Sequence, residues 1–167
     1  MLRRQEPAIS RSSPMKPYFT RLSAVLMLIT AVFATTLPAQ ADTDTPRGLF
    51  VNLTTDDTWV AAKAIMFAHE KSLRNGHDTA IWLNVRAVYL ADKKRPSHIH
   101  GMMAESGTSV QDMLAAFIAD GGTVIMCQAC SKAAGLTQDD YIDGVTMGSW
   151  PVVEGWLFRE NMQTLSW

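Results

Sequence analysis

An α/β domain with a mostly parallel sheet of about five strands is the architecture that this 167-residue sequence predicts. Short apolar runs recur at Gly48–Leu53 (GLFVNL), 79–85 (TAIWLNV) and 123–126 (TVIM), each too brief for a helix and bounded by polar or glycine-containing residues. Longer stretches with helical spacing stand between them, and helix start and stop signals fall at the junctions. Such alternation places strands side by side and parallel, with helices over both faces of the sheet.

In chain order, GLFVNL reads as a buried strand, apolar on both faces. The segment TTDDTWVAAKAIMFAHEKSLRNGH follows, with Thr and Asp capping candidates, a stripe of Ala61, Ile65, Ala68 and Ser72, and a stop at Asn75-Gly76. After the second strand, RAVYLADKKRPSHIHGMMAESG reads as a loop of functional length, or a loop with one short helix. Ser109 opens the next helix with Asp112 in a capping box; Val110, Met113, Leu114, Phe117 and Ile118 form its apolar face, and Gly121-Gly122 ends it. The third strand leads to Cys127 at its carboxyl end, with a helical turn at 129–134. A further helical stretch is expected near Thr137, with Asp140 at the cap-box position, and another near Pro151. The terminal TLSW is expected as a short strand at an edge.

Residues 1–41 stand apart. A basic start (Lys16, Arg21), an apolar run and Ala39-Gln40-Ala41 are the parts of a secretory signal peptide, behind a polar leader or an early start codon. Residues 42–47 read as a flexible N-terminus and 48–167 as a single domain. A periplasmic or secreted protein is expected, with no membrane attachment after cleavage. The leader holds Arg3, Arg4, Arg11, Lys16, Arg21 and Glu6; without them the chain keeps ten basic and fifteen acidic residues, a net charge of −5. No basic stripe remains to follow a phosphate backbone, which argues against nucleic acid as a partner.

Cys127 and Cys130 are the only cysteines. In open α/β sheets, sites form outside the carboxyl ends of strands, where this pair falls. Peptide N–H groups at the start of the turn, and nearby Lys132, are expected to stabilise a thiolate. As a structural staple the pair is weak: closing a loop of about four residues yields roughly 2 kcal/mol, against about 4.7 for a hundred-residue loop. As a redox element it is better suited, because the second thiol can resolve a mixed disulfide or persulfide on the first. The alternative is a soft-metal site for copper or zinc built from Cys127, Cys130, His98 and His100; without metal, the histidines are candidates for acid–base partners of the thiol. Thr54, Thr55, Asp56 and Asp57 lie at the same sheet end and are candidates to border the pocket, with helix capping the simpler role for the two acids.

The segments FVNLTTDD, IWLNV, MLAAFIADGGTVIMCQACSKAAGLTQDDYIDGV and TLSW together resemble the DsrE/DsrF-like family, including exported members with a two-cysteine loop. The resemblance implies a three-layer α/β/α sandwich and sulfur carriage, with Cys127 accepting sulfane sulfur as a persulfide and passing it to partner thiols. It also implies a homo-oligomer, trimeric or hexameric; no cofactor is expected. Cys130 stands where many cytosolic carriers of that family lack cysteine, a departure from a one-thiol pattern. On this reading Cys127 is the reactive thiol and Cys130 its resolving partner; a non-catalytic assembly subunit is a further alternative.

Overall fold

The structure, a computed structural model, describes residues 47–95 and 108–167. The segment read as a leader, and His98 and His100, lie outside the described residues. The ordered elements are β1 (Gly48–Leu53), α1 (Thr58–Phe67), β2 (Asp78–Leu83), α2 (Val110–Ala119), β3 (Thr123–Cys127), α3 (Gln128–Ala133), β4 (Thr146–Gly148), α4 (Trp150–Leu157) and β5 (Met162–Ser166). The strands form one sheet in the order β4-β3-β2-β1-β5. Every neighbouring pair is parallel.

The strand order explains how the helices are shared between the faces. From β1 through β4 the chain steps in one direction across the sheet, and then β5 returns to the far side of β1. Right-handed crossovers therefore put the first three connections on one face and the last on the other. The first face carries the larger core, where Leu49, Val51, Leu53, Ile81, Leu83, Val124 and Met126 meet Ala61, Ile65, Leu114 and Phe117. On the second face Phe50, Ala80 and Ile125 pack with Val153 of α4 and with Trp82 and Trp156. Alternate residues of β1 thus serve opposite cores, which is why GLFVNL carries no polar alternation.

The helix signals operate as read. Asp57 caps α1, its Oδ1 accepting the N–H groups of Trp59 at 2.9 Å and Val60 at 3.0 Å. The helical path runs on through a π turn, Ala68–Ser72, and a 3-10 turn, Leu73–Asn75, to Gly76 with φ +81°. Ser109 and Asp112 close the capping box of α2 reciprocally.

Two expectations are corrected, and one strand is added. The stretch near Thr137 forms its capping box but yields only one 3-10 turn, Gln138–Asp140. There the sequence turns to Tyr141, which leaves the helical path and buries its ring in the core. β4 was not anticipated, because three residues carry no readable period; Gly148 lets it pair beside Cys127, where a Cβ would come within 2.7 Å of the Met126 carbonyl oxygen. The second strand stops at Leu83 rather than at Val85. Val85 instead turns into the left-handed region, φ +52°, and opens a 3-10 segment, Val85–Ala91.

Candidate functional site

Cys127 ends β3 and caps α3, its Sγ accepting the N–H of Cys130 at 3.3 Å. Its carbonyl accepts the Ser131 hydroxyl at 2.8 Å, and Ser131 Oγ in turn lies 2.6 Å from the buried Tyr141 hydroxyl. The strand end is therefore held by side chains from the turn and from the segment after it. Both thiols are free and partly buried.

Cys130, one turn along, belongs to a different environment. Its thiol donates to Asn84 Oδ1 at 3.1 Å, and its Sγ accepts the N–H of Val85 at 3.3 Å. Asn84 Oδ1 also accepts that N–H, at 2.8 Å. The carboxyl end of β2 thus supplies both a donor and an acceptor to the sulfur. Outside it lies an open cleft of about 260 Å³ lined by Val85, Arg86, Tyr89, Cys130, Ala133 and Ala134. Cys127 is not part of that lining.

A charged wall flanks the cleft. Arg86 forks onto Asp56, Nε to Oδ1 at 2.9 Å and Nη2 to Oδ2 at 2.7 Å. This hydrogen-bonded pairing holds the Asp56 carboxyl below its usual range and raises Arg86. The Arg86 guanidinium lies 5.8 Å from the Tyr89 ring centre, and that of Arg95 lies 3.7 Å from it.

The thiol chemistry departs from the expectation of a stabilised thiolate at Cys127. Burial pushes the Cys127 thiol up, and the adjacent Cys130 thiol acts in the same direction; the N–H groups of Cys130 and Ala129 offset this only in part. A six-residue helix presents few aligned peptides, so desolvation prevails. Lys132 is exposed in the last turn of α3.

The remaining candidates serve the backbone. Thr54 Oγ1 donates to the Trp167 carbonyl at 2.8 Å, tying the chain end to β1. Thr55 Oγ1 accepts the Asp57 N–H, and Asp57 caps α1. Of those four residues, only Asp56 reaches the cleft wall, through Arg86. Among the described residues no three His, Cys, Asp or Glu side chains are grouped to hold a metal ion. His69 is a buried histidine, its Nε2 2.7 Å from Asp120 Oδ2 and its ring edge-on to Phe117.

Asn84, Val85, Arg86 and Tyr89 were not singled out from the sequence. The signal was available, since NVRAVY follows a strand whose carboxyl end shares the sheet edge with Cys127. A β-branched residue at positive φ, however, carries no sequence signature.

Comparison with known proteins follows the same lines. The family model described as the DsrE/DsrF-like family matches residues 49–160. Among solved structures, the crystal structure of the ychN protein from E. coli is similar in fold, with TM-score 0.58 and 17% identity, covering 74% of this chain and 100% of that chain. No curated protein matches the chain at a significant level.

Proposed function

Since the chain belongs to the DsrE/DsrF-like family, we propose that it is a sulfur-relay protein that carries sulfane sulfur on its Cys127–Cys130 pair. The observation that supports this most is the placement of two free thiols at the carboxyl end of β3, one of them on an open cleft. A thiolate attacking a sulfane sulfur takes it up as a persulfide, and a second thiol three residues away can release it. The reading includes work outside the cytoplasm, after removal of residues 1–41, as a homo-oligomer exchanging sulfur with partner thiols.

Intact-mass analysis after incubation with inorganic polysulfide tests the chemistry: a gain of about 32 daltons per sulfur is expected, lost on thiol reduction. No gain, together with copper or zinc co-purifying and disappearing in cysteine variants, would replace the sulfur reading with the metal one. N-terminal sequencing of the protein from its host should begin near Asp42; retention of residue 1 or 15 in a membrane pellet would show that the segment is an anchor rather than a cleaved signal peptide. Light scattering that finds a monomer at every concentration would refute the oligomer.

A further inference from the structure

The cleft distinguishes the two sulfurs. Cys130 lines it, and Cys127 does not. Cys130 Sγ also receives a backbone N–H from outside its own helix, that of Val85, so a negative charge arising on that sulfur meets a fixed donor. Asn84 Oδ1 takes the thiol proton's hydrogen bond and orients the sulfur. Cys127 Sγ likewise accepts a backbone N–H, that of Cys130 at 3.3 Å, but from within the turn that it caps, and it does not line the cleft.

The wall beside Cys130 is built of paired charges, Arg86 with Asp56 at 2.7 Å and Arg95 with Asp92 at 3.8 Å. Asp56 engages Nε and Nη2 of Arg86, while Nη1 has no partner in that pair and the side chain is 65% exposed. A second guanidinium, Arg95, is stacked on Tyr89, which also lines the cleft. The open cleft of about 260 Å³ lies near the lower end of the range of small-molecule sites, roughly 300–1,000 Å³.

We propose that Cys130, rather than Cys127, is the thiol that meets the sulfur donor, and that the donor is a small anionic persulfide whose carboxylate is met by Arg86. This rests on the sulfur-carrier reading above and inverts the roles expected from the sequence. The Cys130 thiolate attacks the terminal sulfur of R–S–SH. The donor's S–S bond breaks, a new bond forms to Cys130 Sγ, and the thiolate RS⁻ leaves and takes a proton from solvent. Sulfur keeps its oxidation state in this step. Cys127 as thiolate then attacks Cys130 Sγ, forming the Cys127–Cys130 disulfide and expelling HS⁻; the pair is oxidised by two electrons as the sulfane sulfur is reduced to sulfide. A dithiol reductant, by exchange, returns the pair to thiols.

The test compares loading by glutathione persulfide and by the same compound with its carboxylates esterified, followed by intact mass and peptide mapping. The parent should gain sulfur on Cys130. Cys127→Ser should gain it and hold it longer, and neither Cys130→Ser nor Cys130→Ala should gain it. Arg86→Gln should slow loading by the charged donor about tenfold, and Asp56→Asn, which leaves Arg86 uncompensated, should speed it; both should leave the ester unaffected. Iodoacetamide should label Cys130 before Cys127 in the parent, a readout independent of sulfur transfer. A parent that loads on Cys127, a Cys130 variant that still loads, or equal effects on both donors would overturn the inference while leaving the carrier reading intact. If neither the parent nor Cys127→Ser gains sulfur from either donor, and the parent does not pass to the Cys127–Cys130 disulfide, the carrier reading is overturned, and the inference with it.

Discussion

The backbone N–H of Val85 points at the sulfur of Cys130, 3.3 Å away, from a residue whose φ of +52° a β-branched side chain rarely adopts. Such a conformation costs about 1–3 kcal/mol. It persists because Asn84 Oδ1 accepts the same N–H and because Asn84 N and Arg86 N donate to the carbonyls of Leu53 and Thr54. The turn that aims a donor at the thiol is thus held in place by β1.

Val85→Gly should therefore stabilise the fold. Val85 is 55% exposed, so little apolar burial is lost, and glycine takes up the left-handed region freely. After the greater freedom of glycine in the unfolded chain is subtracted, a gain of about 1 kcal/mol is expected in urea unfolding. A loss of stability would show that Val85 is not strained.

The raised pKa of Cys127 has a kinetic consequence. Its thiolate fraction should still be climbing where an unperturbed thiol, near 9.0, has half ionised. Alkylation mapped to Cys127 should accordingly keep rising with pH past that value. A plateau at neutral pH would mean that the N–H groups around Cys127 outweigh its desolvation.

Acid should destabilise the fold in a defined window. Asp140, held by Lys94 and then by the N–H and hydroxyl of Thr137, is lowered from 3.8; Asp56 and Asp112 are lowered by Arg86 and Ser109 respectively. A carboxylate with a depressed folded pKa contributes its full stabilisation above the unfolded value near 3.8 and loses it as pH falls through the folded value. Unfolding midpoints should thus drop below about pH 4, and Asp140→Asn should flatten that drop. Parallel parent and variant curves would remove Asp140 from the account.

Tyr141→Phe tests the support under Cys127. The Tyr141 hydroxyl is buried and bonded to Ser131 Oγ, which holds the Cys127 carbonyl. Loss of one such hydrogen bond should cost about 1 kcal/mol while sulfur loading survives, because neither thiol loses a partner. Loss of loading without loss of stability would place Tyr141 in the chemistry itself.

Much of the fold was legible because its signals are local. The strand GLFVNL, the Ser109–Asp112 box and the stop at Asn75-Gly76 each depend on residues within one or two turns of each other. The short helix near Thr137 misled for a related reason: its capping box is real, but the burial of Tyr141 against a distant core ends the helix after one turn. Likewise β4 exists because β3 is there to pair with and Gly148 admits the approach.

The sequence by itself determined the parallel α/β class and the placing of two thiols at a strand's carboxyl end, since period, caps and spacing are properties of neighbouring residues. Only the tertiary structure decided what surrounds each sulfur. Asn84 and Val85 reach Cys130 across some 45 residues, and Arg86 finds Asp56 across 30. Those contacts arise from the parallel register of β1, β2 and β3, which brings three strand ends to one edge. Cys127 rises in pKa because neighbouring packing desolvates it. Such terms depend on what is near in space, and no local pattern in the chain encodes them.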